Sequence, residues 1–76
     1  MFEKFVEIIC NYVEVEPENV HPESRFVEDL GFTSFDFMSM LGELEEEFDV
    51  EIDEHKVSDI RTVQEALDYL GTLVEA

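Results

Sequence analysis

From Phe2 to Val13 the apolar residues Phe2, Phe5, Val6, Ile9 and Val13 return every three or four positions, the period at which one face of an α-helix meets a core. A first helix is predicted there. The next apolar positions, Val20 and Phe26, stand alone in the polar run VEVEPENVHPESRF, where Pro17 and Pro22 oppose helical continuation. That run is predicted to be a long loop pinned over the core by those two side chains. Gly31 then breaks the chain, and Thr33 followed three residues later by Asp36 comes close to a capping box. A second helix is expected from about Ser34 to Phe48. On a wheel of about 100° per residue, Phe37, Met40, Leu41, Leu44 and Phe48 share one arc, the core face. Phe35, Met38 and Gly42 fall opposite, flanked by Ser39, Glu45 and Glu46, with Ser34 beside Met38. The segment VEID at 50–53 alternates like a strand but has no evident partner, so it reads as loop. Asp53 is placed to cap a short helix running through Val57 and Ile60. TVQE at 62–65 is a capping box opening a last helix along Val63, Ala66, Leu67, Leu70 and Val74. The pattern predicts an all-α fold of four helices, three long and one short.

Composition sharpens this picture. Seventy-six residues are expected to form one domain spanning 1–76, and a chain of that size buries only about 60% of the surface its unfolded form exposes. The 45% hydrophobic content, with seven Phe, is nevertheless too high for a disordered acidic tail. Four Lys and Arg against 21 Asp and Glu give a net charge of −17, which disfavours nucleic acid and anionic membranes and calls for partners with basic surfaces. The chain is expected to be monomeric. With one cysteine, Cys10, no internal disulfide is possible. The absence of a basic, uninterrupted apolar N-terminal segment points to a cytoplasmic protein. No run of eighteen apolar residues occurs, so no membrane insertion is expected.

Charge also qualifies the outward side of the second helix. Between Arg25 and Lys56 lie eleven acids and no Lys or Arg, so Phe35 and Met38 would form an apolar patch with an acidic rim. One reading has both side chains tucked against the loop or the short helix. The other makes the patch a docking surface for basic partners in fast, salt-sensitive association. Gly42 costs about 1 kcal/mol relative to Ala inside a helix, which hints at close approach by something, from outside if the wheel is correctly phased.

Candidate chemistry is sparse. His21 and His55 lie in polar segments with no metal-ligand spacing, and Cys10 sits at the edge of the first apolar arc, where a buried thiol is the simpler reading. The segment from Asp49 places acids as a calcium loop does at its start, but Glu54 stands where glycine is needed and Ile60 where a bidentate Glu is needed. No specific metal site is predicted; adventitious divalent binding to Glu45, Glu46, Glu47 and Asp49 would relieve their repulsion. Ser34 is the remaining candidate. It follows a loop and a glycine, its hydroxyl should be exposed, and a helix N-terminus favours an attached anion such as a phosphate ester.

The stretch FVEDLGFTSFDFMSMLGELEEEFDVEI at 26–52 resembles acyl carrier proteins, whose pattern runs D-L-G-x-D-S-L into an acidic helix ending E-E-F. The order of helix, long loop, Ser-headed helix, short helix and last helix extends the resemblance over essentially the whole chain. It implies a four-helix carrier bundle that is not an enzyme, with 4′-phosphopantetheine carried on Ser34 through a phosphodiester. A phosphopantetheinyl transferase would install the group from coenzyme A. The arm's thiol would hold acyl intermediates as thioesters, which the bundle can shelter between helices and present to acyl-transfer, condensing and tailoring enzymes of fatty-acid, polyketide or related biosynthesis. The docking face so implied takes in Phe35, Asp36, Met38, Ser39, Gly42, Glu45 and Glu46. Thr33 stands where the family has an acid and Phe35 where it has leucine. Threonine keeps the cap and loses the charge, which points to a specialised carrier with particular partners. A chain starting at Met1 suggests a pathway of separate enzymes. A non-acylated acidic module that binds basic proteins or mimics nucleic acid remains the alternative, although it gives no reason for an exposed Ser34.

Overall fold

A computed structural model describes residues 2–74; Met1, Glu75 and Ala76, the ends of the expected domain, lie outside the described residues. Four helices follow in order: α1 (Phe2–Ile9), α2 (Ser34–Phe48), α3 (Glu54–Val57) and α4 (Val63–Val74), with a 3-10 turn at Pro17–Asn19. Together they make the all-α bundle that the period of apolar positions predicts.

The first helix is shorter than its apolar period. After Ile9 the amides of Asn11 and Tyr12 bond the carbonyls of Ile8 and Ile9, the tighter three-residue turns in which many helices end. This turn carries Tyr12 onto Phe32, ring centroids 6.3 Å apart, and lets its hydroxyl donate to Glu43 Oε1 of α2 at 2.7 Å. Phe5, Val6, Ile8 and Ile9 are buried, so the core arc includes Ile8, which the three-and-four spacing passes over. Phe2 departs from expectation: at the start of the helix it is 39% exposed.

The long loop behaves as a fourth wall. Val20 and Phe26 are buried as expected, joined by Leu30 and Phe32. Phe26 is the hub: its ring meets Phe32 edge-on at 5.3 Å, Phe37 at 5.2 Å and Phe5 at 6.4 Å, and each such pair adds about 1 kcal/mol beyond the area it buries. The loop is tied to the start of α4 through backbone bonds from Phe26 N to Arg61 O and from Val63 N to Ser24 O. Gly31 holds φ at +82°, a conformation that L side chains rarely adopt.

In α2, Met40, Leu41 and Leu44 are buried, with Phe37 and Phe48 half-buried against them. The helix ends in left-handed Asp49, φ 53°, a conformation that Asp tolerates better than most side chains. Segment 50–53 forms no strand. Val50 N bonds the Glu45 carbonyl, and side chains take two further amides, Ile52 N donating to Glu45 Oε2 at 2.9 Å and Asp53 N to Tyr69 Oη at 2.8 Å. Asp53 caps α3 by accepting from His55 N, but the helix stops at Val57 and Ile60 follows in a turn. Val63, Ala66 and Leu70 line the core side of α4, whereas Val74, expected on that side, is 39% exposed at the helix end.

Candidate functional site

The site starts from the cap of α2. Thr33 has extended backbone angles, and its Oγ1 accepts from Asp36 N at 3.1 Å while Asp36 Oδ2 accepts from Thr33 N at 3.3 Å. Both halves of the expected capping box are present. The cap is therefore complete without Ser34, which is the first helical residue and exposed. Its hydroxyl stands next to first-turn N–H groups that have no intrahelical partner and at the positive end of the helix dipole.

Beside Ser34 opens a cavity of about 370 Å³ whose walls include Val27, Phe37, Met38, Val57 and Ile60. It is bounded by the loop before α2, by α2 itself, by α3 and by the turn leading into α4. Of its walls Val27 is 62% and Met38 48% exposed, and Phe35, the residue after Ser34, is 79% exposed. Phe35 and Met38 are thus outward, as the wheel predicts, and Phe35 in particular does not tuck against the loop or α3. Val27 escaped prediction because it lies in a turn, where no period assigns a face.

The expected rim residues separate. Glu46 and Gly42 are exposed, and a Cβ added at Gly42 would meet nothing within 4 Å, so no close contact inside the molecule explains its cost in a helix. Asp36 is folded back onto the cap. Glu45 is half-buried and spends a carboxylate oxygen on Ile52 N. Ser39 is also half-buried, and its carbonyl accepts from the Tyr12 hydroxyl at 3.3 Å.

Elsewhere the chemistry is quiet. Cys10 is half-buried and donates to Val15 O at 3.3 Å; burial, then the nearby Glu16 and Glu18, push its thiol above the ordinary range, the wrong direction for a nucleophile. His21 and His55 are exposed. Among the described residues no three His, Cys, Asp or Glu side chains come together as metal ligands, and no helix is long and apolar enough to cross a membrane.

An exposed hydroxyl at a helix start, beside a largely apolar cavity, is a place where a group can be attached and partly sheltered. The family model described as phosphopantetheine attachment site matches residues 3–70. The chain belongs to this phosphopantetheine-binding family, whose members are non-catalytic carriers holding 4′-phosphopantetheine covalently. The residues present suit the group: a free hydroxyl, a helix N-terminus for its phosphate and an apolar recess within reach.

Proposed function

We propose that Ser34 is the attachment point and that the chain, as one domain over 1–76, carries acyl intermediates between separate enzymes of fatty-acid, polyketide or related biosynthesis. The observation that carries this reading is the exposed Ser34 hydroxyl, left free by a cap made entirely from Thr33 and Asp36, at the mouth of an apolar cavity. When attached, the group supplies a terminal thiol for thioester linkage on a flexible tether, which raises its effective concentration at each partner's active site.

The protein's part is binding and presentation. Thr33 and Asp36 hold the helix start rigid, and Phe37, Val57 and Ile60 offer an apolar wall to cargo. Phe35 and Met38, with Gly42 and the exposed carboxylate of Glu46, form the docking face for a phosphopantetheinyl transferase and for acyl-transfer, condensing and tailoring enzymes with basic surfaces. Ser39, Glu45 and Asp36 belong to the edge of that face, and the internal bonds of Glu45 and Asp36 leave their charge available to a partner's field while fixing where it sits. We place the protein in the cytoplasm as a monomer and, because Thr33 brings no charge next to Ser34, as a specialised carrier.

The test is intact mass after incubation with coenzyme A, magnesium and a broad-specificity transferase. The expected result is a gain of one phosphopantetheine that Ser34→Ala abolishes. No gain with any transferase, including one from the native host, refutes the assignment.

A further inference from the structure

Cations are scarce in this chain, four against 21 acids, and two of the four are already engaged. Lys4 pairs with Glu7 and Glu47 at 3.8 Å, and Arg25 with Glu28 at 3.5 Å and Asp29 at 3.0 Å. Among the described residues Lys56 and Arg61 make no ion pair. With so many carboxylates available, an unpaired guanidinium is unexpected, and the two free cations differ in place. Lys56 is exposed on α3, away from the cavity walls, whereas Arg61 lines the cavity that Ser34 also lines.

The backbone fixes Arg61 firmly, and its guanidinium, which makes no ion pair among the described residues, reaches Glu65 only through its charge. Its carbonyl accepts from Phe26 N at 2.9 Å, and its amide donates to Glu65 Oε1 at 3.0 Å. That oxygen also accepts from Thr62 N and Thr62 Oγ1, so this carboxylate is occupied by cap donors. Glu28, which lines the cavity, pairs with Arg25 at 3.5 Å, a cation it shares with Asp29. Glu54, the other acid lining the cavity, makes no ion pair with Arg61 among the described residues.

We propose that Arg61 is the anion-holding residue of the Ser34 site, pairing with the phosphodiester of the attached arm and so laying the arm into the cavity. The proposal rests on Ser34 being the attachment point. A phosphodiester on Ser34 adds negative charge to an already strongly acidic face, with Asp36 and Glu54 nearby, and a guanidinium offers that charge both compensation and a two-pronged hydrogen bond. A carboxylate at the end of a cargo would present the same chemistry. The phosphate is favoured because it is bonded directly to the Ser34 oxygen, whereas a cargo carboxylate reaches Arg61 only if the whole arm folds back. Arg61 acts here as a positioning residue and not in any bond-making step.

The experiment follows the Arg61 side-chain Nε–H signal by NMR in wild-type apo protein, in protein whose single modification has been verified by mass, and in protein loaded with acetyl or malonyl. The expected result is a displacement of the Arg61 signal on going from apo to modified protein, the same with free thiol, acetyl or malonyl. In parallel the ³¹P line of modified Arg61→Gln should narrow and move toward that of a free phosphodiester. Arg61→Lys should show a partial change, and Lys56→Gln the wild-type line. An Arg61 signal that does not move on modification overturns the proposal. So does one that moves only with malonyl, which would assign the guanidinium to cargo. Failure to gain mass would instead refute the Ser34 assignment, so the two readings fail separately. The wild-type measurement needs no variant to fold.

Discussion

Two helices of this protein begin with the same device and put it to different ends. Before α4, Thr62 and Glu65 form a capping box in which the carboxylate accepts from Arg61 N and Thr62 N, both at 3.0 Å, and Thr62 Oγ1 accepts from Glu65 N at 3.2 Å. Before α2, Thr33 and Asp36 form the same box with fewer bonds. The next residue decides the outcome. After Thr62 comes Val63, fully buried and bonded through its amide to Ser24 O; after Thr33 comes Ser34, exposed at a cavity mouth. One helix start is a structural joint between loop and bundle. The other is held in shape so that the hydroxyl behind the cap stays free. A capping box reports where a helix begins, and burial of the following side chain separates a joint from a site.

The sharpest way to break this contrast is to truncate both following residues. Val63→Ala should cost about 2 kcal/mol of stability, the scale of burying one such side chain, while Ser34→Ala should stay within about 0.5 kcal/mol as an exposed substitution. Chemical denaturation of the two variants reads this directly; a Ser34→Ala loss matching that of Val63→Ala would make Ser34 a structural residue.

Met38→Glu comes next. It should weaken turnover with a partner enzyme by about 1 kcal/mol or more, as expected for an apolar docking contact, and leave helicity and melting temperature near wild type. Unfolding of the variant would show that Met38 belongs to the core.

The caps themselves should differ modestly. Thr62→Ala is expected to cost about 1 kcal/mol, and Thr33→Ala less, because the α4 box holds more bonds and anchors the loop. Equal melting temperatures for the two variants would erase the distinction between joint and site.

The smallest effect lies in pH. Backbone donation from Arg61, then from Thr62, holds the Glu65 carboxyl below its ordinary value of 4.5. Because the folded value is lowered, the ionised carboxylate adds stability above the unfolded value, and that contribution fades as pH falls through the folded one. Wild type should therefore exceed Glu65→Gln in stability near neutrality, and the gap should close as the solution is taken below the ordinary carboxylate range. A gap that is constant with pH would show that the bonds, and not the charge, carry the effect.

The legibility of the molecule follows the range of the forces that shape it. The bounds of α2, its cap and its two faces are readable because Thr33, Asp36 and the Phe37 to Phe48 pattern act within a few residues of each other. The burial of Val20 and Phe26 is readable because apolar side chains in a polar loop have nowhere else to go. The end of α1 is not: the apolar period continues to Val13, whereas the chain turns after Ile9 and brings Tyr12 to Glu43, 31 positions away. Glu45 reads as a surface acid because its acceptor role depends on the left-handed turn at Asp49 bringing back Ile52. The cavity is invisible in sequence, since its walls come from Val27, Met38, Val57 and Ile60 in four different segments. Ser34 can be singled out as a candidate because its signal, a hydroxyl after a complete cap, is local, while the cavity beside it is not.

Fragmentation of the modified protein by mass spectrometry locates the added phosphopantetheine. The whole modification is expected on Ser34 and none on Ser24, Ser39 or Ser58; a modification on any other residue would show that Ser34 is not the attachment point.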